Sequence, residues 1–283
     1  MRLPDFIIIG GQKCGTTSLH QYLQQHPDIA MSKWKELQFF ADPKVWDRGL
    51  KWYASNFEFS EALTGEASPQ YSWQPFAAEA PKRMHSVVPG AKLIYIVRDP
   101  IDRVLSQYSD YLHQSWEELE LDVLIRNFAK RPNLYLEPSR YYSQIEAYLK
   151  YYKAESLRVW TMEDLSAEPL RVMKEIFAYL GVDSSFTSDD WTRPRNPQQG
   201  KRRPHALVRM LMTKGARPER WVRERFPAFM EQPLVRLIHR TGTPIERPQL
   251  NPEQEAIMLD IFRDDVRKLR DYTGLTLANW RDY

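Results

Sequence analysis

The spacing of apolar and polar residues divides the chain into alternating extended and helical segments. FIIIG (6–10) is a continuous apolar run stopped by glycine, which predicts a buried parallel strand. TTSLHQYLQQHP (16–27) follows with Leu19, Tyr22 and Leu23 at helical spacing, and Pro27 closes it. PFAAEAPKRMHSVV (75–88) reads as helix and KLIYIV (92–97) as a second buried strand. RDPIDRVLSQYSDYLHQ (98–114) has a proline at an early helical position and continues as an amphipathic helix. YYSQIEAYLKYY (141–152) is helical and SLRVWTM (156–162) is a third strand. PLRVMKEIFAYLGV (169–182) is a helix with a glycine stop. PEQEAIMLDIFRDDVRKLRDYTG (252–274) is a strongly amphipathic helix.

Strands alternating with helices predict an α/β fold: a single domain over residues 1–283, with a central parallel sheet flanked by helices and a ligand at the strand carboxyl ends. A loop with KELQFF (35–40) and a Trp-rich segment, RGLKWYASNF (48–57), lie between the first two strands. From Asp183 to His205 the chain is rich in Ser, Asp, Pro and Arg and has no periodicity. Residues 183–240 are therefore expected to form an irregular, basic lid or insertion which, with residues 35–75, covers an acceptor cleft.

Composition narrows the class. At 42% hydrophobic and 27% charged residues the chain is ordinary for a soluble globular protein, and 283 residues allow a sizeable core. Nine tryptophans suit clefts for flat or sugar-like ligands, and equally an aromatic core. No apolar stretch approaches the ~20 residues of a membrane span, and no signal-peptide pattern opens the sequence. Cys14 is the one cysteine, so no intrachain disulfide forms; a cytoplasmic location is the expectation. The net charge of +3 hides an asymmetry: residues 191–226 hold eleven Lys or Arg against two acids, a balance of +9 that leaves −6 for the rest. Such a segment attracts an anionic ligand, a nucleic acid or an acidic membrane surface, or is a solvated helical face. No RNA- or DNA-binding motif accompanies it, so a nucleic-acid module is not expected.

The chemistry starts in GGQKCGTT (10–17). Glycines let a backbone turn tightly and expose consecutive N–H groups, and the helix that follows aims its positive dipole end at the same spot. Thr16 and Thr17 can cap that helix and donate to phosphate oxygens, while Lys13 supplies a mobile charge. Gly10 and Gly15 have the spacing of a nucleotide-triphosphate loop, but Thr16 stands where that loop has its lysine. Asp99 follows a strand as a Mg²⁺ carboxylate would, yet it is wedged between Arg98 and Pro100. A nucleotide kinase is thus the rival reading. Arg98 can grip a phosphate bidentately, and Ser106, about two helical turns on, adds a hydroxyl. Arg98 and Arg103 also read as helix-start ion pairs, Arg103 with Asp99 or Asp102. Cys14 borders the anion loop, a setting that can activate a thiol, although no acceptor chemistry attaches to it. None of the six histidines has a catalytic setting; His20 and His113 read as surface or packing residues.

Taken together, GGQKCGTTSL and RDPIDRVLSQY resemble the 5′-phosphosulfate loop and the 3′-phosphate motif of the sulfotransferases that use 3′-phosphoadenylyl sulfate (PAPS). KELQFF with GLKWYASNF, residues 141–182 and the final DDVRKLRDYTGLTLANW are similar to the branch containing the heparan-sulfate N- and O-sulfotransferases, of which this would be a bacterial-type soluble member. Residues 183–250 match poorly.

The resemblance implies a P-loop-like sheet. Gly11, Gln12, Lys13, Cys14, Gly15, Thr16, Thr17 and Ser18 would surround the 5′ phosphosulfate, and Arg98 and Ser106 the 3′ phosphate. Lys13 would neutralise charge on the departing adenosine 3′,5′-bisphosphate, without a metal. Glu36 occupies the position of the family's general base, where Trp34, Phe39 and Phe40 favour its protonated form and neighbouring lysines its charged one. A surface pair of Glu36 with Lys33 or Lys35 is the bland alternative. In GEASPQY (65–71) Ala67 stands where heparan enzymes often have lysine, which argues against a heparan-like acceptor. Glu66 is a second acid/base, a substrate ligand or a buried structural acceptor, and Ser68 a donor to substrate. Lys201 and Arg203 in GKRRPH are similar to a basic loop that closes over the nucleotide. The expected acceptor is a hydroxyl or amine of a carbohydrate, glycolipid or small metabolite, with peripheral membrane contact for a lipid acceptor; a non-catalytic PAPS-binding protein is a third class.

Overall fold

The computed structural model describes residues 1–58, 61–113, 120–128, 132–192, 202–203, 222, 225, 227–241 and 243–283. They form two compact units, the first of Met1–Arg103, Pro132–Arg193 and Leu259–Tyr283, the second of Val104–Arg131 and Pro194–Met258.

The first unit is built on a parallel sheet of five strands: β1 (Phe6–Gly10), β2 (Ile29–Met31), β3 (Leu63–Ala67), β4 (Lys92–Val97) and β5 (Leu157–Thr161), in the order β2-β3-β1-β4-β5. The apolar runs explain the centre. Successive strand residues face opposite sides, so a run that is apolar throughout needs cover on both. Phe6 to Ile9 and Leu93 to Val97 are accordingly all fully buried. β1 pairs with β3 through Phe6–Gly65 and Ile7–Glu66, and with β4 through Phe6–Lys92 and Ile8–Ile94. Because β1 lies between β3 and β4, the loops leaving all three emerge together at the carboxyl edge of the sheet.

The helices of this unit are α1 (Thr16–Leu23), α2 (Pro43–Trp46), α3 (Gly49–Ala54), α4 (Ala80–Val87), the start of α5 (Pro100–His113), then, beyond α6 (Leu121–Phe128) of the second unit, α7 (Tyr141–Leu149), α8 (Met162–Ala167) and α9 (Pro169–Leu180). In α9 the buried set Val172, Met173, Ile176, Phe177 and Leu180 follows the helical period. Gly181 ends it in the left-handed region (φ 87°), and Lys92 Nζ donates to the last carbonyls, Tyr179 and Leu180, at 2.8 and 3.0 Å.

The second unit contains α6, a two-residue antiparallel pairing of Arg202–Arg203 with Thr243–Pro244, α10 (Ala228–Thr241) and the start of α11 (Pro252–Thr273). Asn251 and Gln254 form a reciprocal cap at α11, each side chain bonding the other's backbone N–H at 2.9–3.0 Å. Among the described residues, no helix is long and apolar enough to cross a membrane.

One expectation is corrected, and one inner strand is added to those the sequence predicts. Residues 183–240 are not irregular throughout, since α10 runs with Pro233 inside it. β3 has no apolar run, yet it is an inner strand. Its residue Gly65 leaves room for the Phe6 ring, and a Cβ there would stand 2.1 Å from that ring. Gly65→Val is therefore expected to lower the unfolding free energy by about 1–3 kcal/mol, read as a lower urea midpoint at unchanged slope; an unchanged midpoint would contradict this packing.

Candidate active site

The loop after β1 is assembled by its own backbone. Gly11 N–H donates to Ile96 O at 2.6 Å, holding the turn against β4, and Cys14 N–H donates to Gly11 O at 3.2 Å. Gly15 sits in the left-handed region (φ 88°) as the N-cap of α1 and provides no side chain to cap it. The first intrahelical bond runs from Leu19 N–H to Gly15 O at 3.0 Å, so the amides of Thr16, Thr17 and Ser18 have no acceptor within the helix. Thr17 is exposed and Ser18 half-buried, while the Thr16 side chain is enclosed. Lys13 adopts φ 67°, an uncommon conformation for a residue with a side chain, and it is half-buried at this edge. The result is a row of backbone N–H donors at the start of α1, an arrangement that can cradle an anion.

Cys14 faces the other way. Its thiol is fully buried, 3.5 Å from Gln12 O and 3.7 Å from Tyr141 Oη. Burial pushes it up to about 11, against the opposing pull of Arg103, so the activated thiol expected from its place in the loop is not formed. Gln12 is half-buried, with its Oε1 enclosed and unpartnered among the described residues. His20 is a packing residue on α1: burial first, and Lys35 second, bring it down to about 4, so its ring is neutral.

Arg98 leaves the end of β4 with its guanidinium group 3.3 Å from Asp102 Oδ2. Asp99 accepts Asp102 N–H at 2.9 Å, Arg281 N–H at 3.0 Å and the Arg281 guanidinium at 2.6 Å. Its oxygens are thus engaged in capping α5 and clasping the C-terminal segment. Arg103 pairs with neither aspartate in these bonds; it is buried and donates to Ser139 Oγ and Tyr135 O. Ser106 lies two turns along α5 and is 5% exposed. Among the described residues no cluster of three or more His, Cys, Asp or Glu could hold a metal.

The loop after β2 carries Glu36. Its N–H donates to Ala67 O at the end of β3 (2.8 Å), and its carboxylate meets Lys35 Nζ at 2.5 Å and Gln70 Nε2 at 3.1 Å. Glu36 and Gln38 both take positive φ, 65° and 55°. Phe39 and Phe40, next in the chain, are buried; Phe39 stacks on Tyr53 with ring centroids 4.3 Å apart. The loop is therefore rooted in an aromatic core while Glu36 itself is exposed and forms the surface pair with Lys35, and Trp34 is exposed rather than packed over it.

Glu66 and Ser68, expected to touch an acceptor, are instead interior; both are fully buried. Glu66 takes hydrogen bonds from Tyr53 Oη, from Ser68 Oγ at 2.7 Å and from Tyr71 Oη at 2.7 Å. Ser68 Oγ also accepts Gln38 N–H at 3.0 Å. Glu66 is thus the structural acceptor among its three expected roles. Lys201 lies outside the described residues; Arg203 is in the short strand, and its side chain is not described. Gln70 and Tyr53 escaped sequence reasoning, because each acts through a contact distant in sequence.

A five-stranded parallel sheet whose first strand runs through a glycine-bounded loop into a helix without a side-chain cap, with no lysine at the nucleotide-triphosphate position, defines the class: an α/β protein of P-loop-like fold. The sulfotransferase domain profile matches residues 3–198, and the chain belongs to that family. It is 32% identical over 217 residues to bifunctional heparan sulfate N-deacetylase/N-sulfotransferase 4 of Mus musculus, covering 70% of this chain and 24% of that one. Heparan sulfate glucosamine 3-O-sulfotransferase 5 of Homo sapiens is 29% identical over 191 residues, 64% of this chain and 54% of the relative. The chain thus spans about a quarter of the length of the first and about half of the second. A sulfotransferase from Alicyclobacillus acidocaldarius superposes with a TM-score of 0.70 at 22% identity over 100% of both chains. Mouse sulfotransferase SULT7A1, solved in complex with PAP, gives 0.51 at 15% identity over 94% of this chain and 86% of its own. At those identities the likeness is one of fold.

Burial raises Glu66 above the usual carboxylate range, against three hydroxyls that favour its charged form. A raised folded-state value means that the folded protein binds the proton first. Stability from this group is complete below the unfolded value, about 4.3, and is lost as pH rises through the folded one. Urea titrations from pH 8 to 5 should therefore show the wild type gaining stability relative to Glu66→Gln as pH falls; a constant difference would mean Glu66 does not titrate in this range.

Proposed function

We propose that this protein transfers the sulfuryl group of PAPS to a hydroxyl or amine of a carbohydrate, glycolipid or small-metabolite acceptor, releasing adenosine 3′,5′-bisphosphate. One observation carries the reading: the carboxylate-bearing loop is bonded to the end of β3, the strand beside β1, whose own end forms the anion cradle. Family membership supports sulfuryl transfer. The PAP of the mouse structure supports the donor, and the heparan sulfate of the named relatives supports a carbohydrate acceptor.

In this reading the first-turn amides of α1 and the hydroxyls of Thr17 and Ser18 receive the 5′ phosphate, and Arg98 receives the 3′ phosphate. Glu36 takes the proton from the acceptor as its oxygen or nitrogen bonds to sulfur. The bond from sulfur to the 5′-phosphate oxygen breaks, and Lys13 meets the charge left there. A sulfuryl group carries less charge than a phosphoryl group, so the ammonium and backbone N–H groups serve without a metal. Arg203 and Lys201 are the candidates for closing over the nucleotide. The lone cysteine suits a reducing compartment, and a cytoplasmic location is proposed on that ground.

Calorimetry should show adenosine 3′,5′-bisphosphate binding in preference to ATP; the reverse preference would favour the kinase. Turnover with ³⁵S-labelled PAPS and acceptor pools is expected to persist in EDTA. Lys13→Ala should lower kcat by about 10²-fold or more. Glu36→Gln should keep bisphosphate binding and lower kcat by about 10²–10⁴-fold; retained turnover would remove Glu36 as the base.

A further inference from the structure

We propose that Gln70 is a positioning residue for Glu36, fixing the direction in which that carboxylate faces the acceptor. The inference rests on Glu36 being the base, as proposed above.

Gln70 is the second residue of the 3₁₀ turn Pro69–Ser72 that follows β3. Its neighbours hold the turn inward. Ser68 and Tyr71 both donate to Glu66, Ser72 Oγ donates to Pro69 O at 3.1 Å, and Tyr148 Oη donates to Tyr71 O at 3.0 Å. Ser68 N–H reaches across to Ile8 O at 3.2 Å, which ties the turn to β1. With Pro69, Tyr71 and Ser72 buried, Gln70 is the half-buried member, and its amide extends to Glu36.

The bonds from Lys35 and Gln70 to the Glu36 carboxylate differ in what they can fix. Lys35 Nζ reaches Oε1 from the adjacent residue, so it moves with the loop. Gln70 Nε2 reaches Oε2 from 34 residues away, on a turn rooted in the sheet. A bond across elements sets an orientation that a bond between neighbours cannot. The carboxamide is also held at a cost. Its Oε1 is enclosed without a partner among the described residues, which is unfavourable for a buried carbonyl.

This gives a signature that separates positioning from structure. Gln70→Met keeps the length of the side chain and removes both the donor to Glu36 and the unpartnered carbonyl. The melting temperature of the variant should equal or exceed that of the wild type, with unchanged calorimetric affinity for adenosine 3′,5′-bisphosphate. Its kcat should fall about tenfold, the equivalent of about 1.4 kcal/mol, at little changed KM. The assay follows release of labelled sulfate from ³⁵S-labelled PAPS to water, which needs no organic acceptor, with KM read for PAPS; an amine- or hydroxyl-bearing acceptor drawn from the pools above gives the same comparison. In a Glu36→Gln background, Gln70→Met should cause no further loss. A wild-type kcat, an equal loss in both backgrounds, or a lowered melting temperature with weakened bisphosphate binding would overturn the inference. If Glu36→Gln alone leaves turnover intact, it is the base assignment that fails. If Glu36→Gln is inactive and Gln70→Met is not impaired, only the role of Gln70 fails.

Discussion

A carboxyl group shut away from water must be surrounded by donors, and Glu66 is surrounded by three hydroxyls on three different segments: α3, the end of β3 and the turn that follows. The architecture of the candidate site depends on that knot. Tyr53 brings in the aromatic cluster that roots Phe39 and Phe40. Ser68 passes the constraint to Gln38 through its backbone N–H, and Tyr71 fixes the turn bearing Gln70. The exposed Glu36 is thus directed by a buried carboxyl group that it does not touch in any of these bonds. Networks of this kind can favour one arrangement even where their net contribution to stability is small.

The anion-binding end works on a different principle. Its donors are backbone amides, fixed by the turn at Gly15 and by the Gly11 bond to β4, so little rearrangement is needed to receive a charged group. The side chains that could compete are turned away: Cys14 into the core, Asp99 toward Arg281, Arg103 toward Ser139. Lys13 follows β1 and Arg98 follows β4, the strand paired beside it.

Much of this was legible in the sequence, for identifiable reasons. β1 and β4 are covered on both faces, so burial writes itself as unbroken apolar runs; the helices after them carry a glycine or a proline at the start. β3 was not legible because its place in the core is secured by a missing side chain at Gly65 and a carboxyl group satisfied by tyrosines, neither of which looks hydrophobic. Cys14 was misread because a loop position suggests access, whereas the direction of a side chain is set by the turn. Ser68 and Glu66 sit in a motif that suggests substrate contact, and only the three-dimensional arrangement reveals that they face each other. Gln70 gave no signal at all, since its partner lies 34 residues away.

The clasp between Asp99 and Arg281 joins residues 182 positions apart. The entropy of closing a loop rises only slowly with its length, so a contact of this separation costs little more than a shorter one while it joins two distant stretches of chain. The start of α5, where Arg98 meets Asp102, is therefore tied to the far end of the chain through Arg281, which bonds both Asp99 and Asp102. In the proposed reading, a nucleotide that engages both strand ends would bind only the finished molecule, so by mass action it would stabilise the native state as well as react.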